Sequence, residues 1–203
     1  MLPRRADPER AARKREQITV EASRLFATQG YERTSVADIA EAAGVSTASV
    51  FYYFTDKAAL FRSIFERDLP AVESLVERHA DSETPVPAIL DVVSELAKDA
   101  ADPSASGMLV ELLRRAEHDP ALVAVVAQTA EVVTGGLAAL IARGIADDEI
   151  DAALDPVETA RWLQAIVDAT YLNARPGYWP VPELRRTVLR YLGAREEEGE
   201  SDG

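Results

Sequence analysis

The residues best placed to do chemistry lie between Thr34 and Lys57, in the stretch TSVADIAEAAGVSTASVFYYFTDK. The chemistry they suit is recognition. Small hydroxyl side chains and aromatic rings gather at the start of a short helix, with no nucleophile–base pair or metal-ligating set around them. Val36, Ile39, Ala40 and Ala43 recur at helical spacing and give a first helix one apolar face. Gly44, inside Ala43-Gly44-Val45, can take the left-handed backbone that a sharp exit from that helix needs. Ser46 or Thr47 then offers a side-chain oxygen to cap a second helix over residues 48–54. Helix, glycine turn and helix in this order make a helix-turn-helix of a kind that can enter a DNA major groove. That reading implies a DNA-binding regulator in place of an enzyme.

Composition narrows the classes further. The chain has 203 residues, 47% of them hydrophobic, which suits a packed globular protein. It has no cysteine, so disulfides, thiolate metal sites and a cysteine nucleophile are excluded. No metal, cofactor or catalytic residue is expected. No apolar run of membrane-spanning length is expected, and MLPRRADPER lacks the apolar core of a secretory signal, so the expected setting is the cytoplasm, away from membranes.

A net charge of −13 looks wrong for a DNA binder, but its distribution does not. Residues 1–57 hold nine Lys/Arg against eight Asp/Glu, whereas residues 58–203 hold thirteen against twenty-seven. Arg4, Arg5, Arg10, Arg13, Lys14 and Arg15 form a basic arm over residues 1–15. Positive charge therefore sits where phosphates would be met, and the acidic remainder serves solubility.

The elements that must position the 34–57 stretch read as helices throughout; apolar/polar alternation between turn signals is missing. A first helix opens at Pro8, buries Ile18, Ala22, Leu25 and Phe26, and ends at Gly30. After the helix pair, Asp56 caps a fourth helix with the stripe Leu60, Phe61, Ile64, Phe65, Leu69, Val72, Leu75 and Val76. Pro70 sits inside that stripe and should kink or break it. Further helices are expected over residues 86–101, 104–117, 120–146, 156–174 and 181–192. Gly135-Gly136 in the seventh calls for close packing or a bend. The fold class is all-α with about nine helices. The expected domains are 1–57, 58–194 for ligand binding and dimerisation, and an acidic, disordered tail over 195–203.

Residues 10–65 resemble the DNA-binding domain of the tetracycline-repressor (TetR) family of transcriptional regulators. The matching features are the helix 18–29 ending in Gly30-Tyr31, then Thr34-Ser35-Val36 leading into Asp38-Ile39-Ala40. Ala43-Gly44-Val45-Ser46 and Val50-Phe51-Tyr52-Tyr53-Phe54 follow, with Lys57 and Leu60 at the family's spacing. The resemblance implies that Thr34 and Ser35 bond phosphates and that Ser46 caps the third helix. It implies that Thr47, Ala48 and Ser49 face base edges, that Tyr52 and Tyr53 lie along the backbone, and that Lys57 neutralises a phosphate. Tyr53 could equally pack. Phe51 departs from the family's common tyrosine but can still meet a thymine methyl. Thr47 replaces a longer side chain often found there, and Ala48 lacks a polar atom. Direct readout is correspondingly modest, and DNA shape gains weight.

The resemblance also implies a homodimer on an inverted-repeat operator, joined through the eighth and ninth helices (156–174 and 181–192). The sequence suits this, because Trp162, Leu163, Ile166, Val167, Ala169, Thr170 and Tyr171 occupy more than one stripe. Val188, Leu189, Tyr191 and Leu192 do so more weakly. A bulky core within one chain could also absorb them. The partners expected are double-stranded DNA and a small, mostly apolar effector. The effector's candidate lining is Phe65, Leu69, Met108, Leu112, Trp162, Ile166 and Tyr171, with His118 and Asp168 as polar additions. The mechanism expected is repression released by that effector; an activator or a ligand-independent regulator of the same fold is the alternative. An enzyme finds no support in spacing, since no carboxylate pair, phosphate loop or ligand cluster stands out. A non-DNA adaptor keeping the helix pair only for packing is the third class.

Overall fold

The computed structural model describes residues 8–194. Arg4, Arg5 and the 195–203 tail lie outside the described residues. Within them every regular element is helical: α1 (Pro8–Gln29), α2 (Val36–Ala42), α3 (Thr47–Tyr53), α4 (Lys57–Glu66) and α5 (Asp68–His79), then α6 (Pro85–Ala97). A 3-10 turn (Lys98–Ala101), α7 (Ala105–Ala116), α8 (Pro120–Ala146), α9 (Pro156–Leu172) and α10 (Val181–Leu192) complete the chain.

The all-α expectation holds, and the one extra helix comes from the fourth, which is two. The break falls at Arg67 and not at Pro70. Proline is cheapest in the first turn of a helix, where its missing N–H would have no partner anyway. Starting α5 at Asp68 places Pro70 in that first turn. The expected helix over 86–101 also stops early, at Ala97, and finishes as the 3-10 turn.

Contacts divide the chain into two compact units, and the division is not at residue 57. Among the described residues the first unit takes 8–68 together with 106–126. Its core joins Ile18, Leu25, Phe26, Tyr31, Ile39, Val50, Phe54, Leu60, Phe61 and Leu122. Leu60, Phe61 and Ile64 of α4 are buried in that same cluster, so the unit cannot stop at the helix's first residue. The second unit takes 69–105 and 127–194. Its core is aliphatic, built from α5, α6, α8, α9 and α10 around Ile89, Val93, Leu137, Ile141, Leu163, Val188 and Leu192.

In the second unit the glycine pair of α8 resolves into two different residues. A Cβ on Gly136 would lie 2.4 Å from a Val76 methyl carbon, so α5 and α8 approach closely there. A Cβ on Gly135 would meet nothing within 4 Å.

One expectation needs correction. Among the described residues α8 is long and apolar enough to cross a membrane, with 27 residues and a mean hydropathy of 1.6 over its most apolar window. Alanine dominates its exposed positions, and it raises hydropathy while supplying little bulk. The length test alone does not distinguish such a helix from a core helix. Glu131 and Arg143 also interrupt it.

Candidate nucleic-acid interface

Short helices need help at their ends, because a seven-residue helix leaves most of its backbone groups without internal partners. Both α2 and α3 receive it. Ser35 caps α2: its hydroxyl oxygen accepts the Asp38 amide at 3.1 Å, and the Asp38 carboxylate accepts the Ser35 amide at 2.8 Å. This reciprocal pair is a capping box. The hydrogen bonds from the Ser35 hydroxyl and amide hold the Asp38 carboxyl below its ordinary value. Ser46 caps α3 by accepting the Ser49 amide at 3.1 Å, in line with the expectation from sequence. Gly44 sits between them at φ 60°, a left-handed position with nothing near its missing Cβ.

The frame behind the pair is tied by side-chain contacts. Gln17 of α1 donates to the Ala43 carbonyl at 3.0 Å, which ties α1 to the end of α2. Phe26, Tyr31 and Phe61 form a three-ring cluster with centroids 5.2–5.3 Å apart. Val50 and Phe54 anchor the inner face of α3, both under 5% exposed.

The outer face of α3 then follows from helical geometry. Thr47, Ala48, Phe51 and Tyr52 are exposed, Phe51 at 51% and Tyr52 at 75%. Ser49 is half-buried beside them. Tyr53 packs against the core and stands edge-on to Tyr52, with centroids 5.0 Å apart. Two large aromatic side chains left in water on so short a helix cost solvation unless something covers them.

Two of the expected contacts are placed differently. Thr34 is fully buried, and its hydroxyl donates inward to the Gly30 carbonyl at 2.9 Å. A hydroxyl so committed does not face a phosphate, so Thr34 leaves the contact set. Lys57 is half-buried; its ammonium donates to the Tyr31 carbonyl at 2.9 Å and to the Thr34 carbonyl at 3.1 Å, and lies 4.2 Å from the Tyr31 ring centre. It staples the turn between α1 and α2, and at most part of its charge is free for a phosphate.

Sequence reading missed the residues that brace this turn from far along the chain. Glu111 accepts the Tyr31 amide at 3.0 Å. The Arg115 guanidinium lies over the Tyr31 ring, 4.4 Å from its centre. Arg62 of α4 pairs with Asp119 at 2.8 Å, and Asp119 accepts the Leu122 amide at the start of α8. Burial pushes the Asp119 carboxyl up, but the Leu122 amide and the Arg62 guanidinium outweigh it and hold it below its ordinary value. Burial raises the Tyr31 hydroxyl despite Arg115. The signal that could have found two of them is a four-residue period, Gly107, Glu111 and Arg115, which places all three on one face of α7.

The expected effector-lining residues divide between the units. Phe65, Met108 and Leu112 pack against the first core, and Ile166 and Tyr171 against the second. The Tyr171 hydroxyl donates to the Leu96 carbonyl at 2.6 Å. Leu69 is half-buried, Trp162 is 53% exposed and His118 is exposed. An open groove of about 600 Å³ lies between α8 and α9, lined by Ala127, Thr134, Gly135, Gln164 and Asp168 among others. Of the expected residues only Asp168 borders it, and loss of solvation there raises its carboxyl.

Residues 18–64 match the family model for bacterial regulatory proteins of the tetR family, and residues 87–195 match that for BetI-type transcriptional repressors, C-terminal. The chain belongs to the TetR family of transcriptional regulators. The HTH-type transcriptional regulator TtgR of Pseudomonas putida is 34% identical over 103 residues, covering 47% of this chain and 49% of that protein. The chain thus spans about half the length of the curated relatives it matches. Its fold is that of solved family structures. FadR of Bacillus halodurans, a fatty acid degradation regulator, superposes with a TM-score of 0.74 at 21% identity, over 90% of this chain and 97% of that one. FadR of Bacillus subtilis, solved with stearoyl-CoA, gives 0.71 at 23%, over 87% and 96%.

Proposed function

We propose that this TetR-family chain is a ligand-responsive repressor that binds an inverted-repeat operator as a homodimer in the cytoplasm, without catalytic activity. The observation that carries the reading is the outer face of α3, with Thr47, Ala48, Phe51 and Tyr52 held in water by a doubly capped, core-anchored helix pair. Ser46 and Ser49 frame that face, and Ser35, Tyr53 and Lys57 flank it. Phe51 offers a ring to a thymine methyl, and Tyr52 a hydroxyl to a phosphate or base edge. Arg10, Arg13, Lys14 and Arg15 of α1 add positive charge to the same unit.

Outward positions on the last two helices support a dimer through α9 and α10. Leu163, Val167, Thr170, Val188, Leu189 and Leu192 are absorbed by the chain's own core, whereas Trp162, Ala169, Leu172 and Tyr191 remain exposed. The effector is a small, mostly apolar molecule bound among the helices that follow α3. B. subtilis FadR, which has the same fold, was solved in complex with stearoyl-CoA, whose long acyl chain supports an apolar part to the effector site. Release requires the effector to bind one conformer more tightly than the other.

Selection from randomised duplexes tests the reading. An enriched inverted repeat is expected, with affinity falling steeply as salt rises. Enrichment of nothing at low ionic strength, from a folded protein, ends it.

A further inference from the structure

The connection between α1 and α2, residues 30–35, is held by hydrogen bonds at Gly30, Tyr31, Thr34 and Ser35. The Gly30 amide donates to the Phe26 carbonyl, the Thr34 amide to the Tyr31 carbonyl, and the Ser35 amide to Asp38. Lys57 takes the Tyr31 and Thr34 carbonyls. Each of these partners lies within the first 57 residues. The Tyr31 amide is the exception: its partner is Glu111, eighty residues away.

Glu111 is 7% exposed and is a built contact. One carboxylate oxygen accepts the Tyr31 amide, and the other accepts Arg114 at 2.8 Å. A Cβ on Gly30 would lie 3.4 Å from that second oxygen. One turn earlier on α7, Gly107 sits so close to α1 that a Cβ would fall 2.2 Å from the Ala27 carbonyl oxygen. One turn later, Arg115 covers the Tyr31 ring. Thus α7 touches the end of α1, the Tyr31 amide and the Tyr31 ring in successive turns. A carboxylate desolvated in this way needs its donors, and a buried amide needs an acceptor; neither can move without loss.

We propose that Glu111 is a positioning residue for operator binding. By fixing the Tyr31 amide it fixes the connection from which Ser35 opens α2, and hence the pose of the α2–α3 pair that meets DNA. The proposal rests on the DNA-binding reading given above. It adds that a residue contacting no DNA sets operator affinity.

The test uses the full chain and a duplex selected by the unmodified protein from a randomised pool. Glu111→Ala is expected to weaken binding to that duplex by about tenfold. Glu111→Gln keeps an acceptor for the Tyr31 amide and is expected to restore most of the loss. Arg114→Ala removes only the exposed partner and is expected to leave affinity unchanged. Amide exchange at Tyr31 in the folded Glu111→Ala protein should rise with the loss of affinity. Should Glu111→Ala not fold, Glu111→Met fills the space without an acceptor and takes its place. A lowered melting temperature with unaltered affinity of the folded protein overturns the proposal, as does a Gln variant as weak as the Ala one. Failure of the underlying reading looks different: the unmodified chain then enriches no duplex, and the proposal falls with it.

Discussion

The two units bury their helices by different means. In the first, aromatic rings do much of the work: Phe26, Tyr31, Phe54 and Phe61 are buried together, and side chain–backbone bonds tie α1, α2, α4 and α7 to one another. In the second, the fully buried cluster is Val, Leu, Ile and Ala, with no aromatic ring among its described buried members. Close approach through a missing side chain occurs in both, at Gly107 against Ala27 in the first and at Gly136 against Val76 in the second. Aliphatic contact is non-directional and tolerates repacking, whereas rings and hydrogen bonds fix angles. A unit that must present a seven-residue helix in one pose needs the second kind of contact.

The contrast can be broken most forcefully at Phe61, which is fully buried and meets Phe26, Tyr31 and Phe65. Phe61→Ala should cost about 3–5 kcal/mol in urea unfolding, and operator binding should go with it. In the second unit Gly136→Ala should cost about 1–3 kcal/mol, because the new methyl meets the branched carbons of Val76. Its neighbour makes the sharper comparison. Gly135→Ala adds a methyl to open space in mid-helix and should stabilise by about 0.5–1 kcal/mol. Opposite signs at adjacent glycines would support the α5–α8 register; equal signs would refute it.

Smaller effects probe the caps and ties of the first unit. Ser46→Ala removes the acceptor for the Ser49 amide and should cost about 1 kcal/mol, read as a lower unfolding midpoint. Asp119 carries a pH signature. Its folded-state carboxyl lies below the ordinary aspartate value of 3.8, so its contribution is present above that value and is lost as pH falls through the folded one. Asp119→Asn should therefore be less stable at neutral pH and should lose less stability on acidification; a parallel acid limb in both proteins would contradict this.

Much of the first unit is legible from neighbouring residues alone. The start of α1 at Pro8, the turn at Gly44 and the Ser46 cap are written in local chemistry, as is the start of α8 at Pro120. In each, one residue's side chain or fixed φ serves groups within a turn. The break in the fourth helix is legible as a break but falls three residues earlier than the proline that signals it, since proline marks a first turn as well as a kink. Thr34 and Lys57 take their expected roles from motif position. The motif says which residue types occur together, and it leaves open which way a short hydroxyl or a long ammonium turns once other donors and acceptors compete for it.

The sequence alone determined that this is an all-helical chain with a helix-turn-helix near its start, because helical period, caps and glycine turns act over a few residues. Only tertiary structure decided that residues 106–126 belong with that helix pair and that Glu111 completes its connecting turn. A four-residue period groups Gly107, Glu111 and Arg115 on one face of α7, but nothing local names the partner eighty residues away. The contact exists because a buried amide must find an acceptor, and folding brings this one within reach.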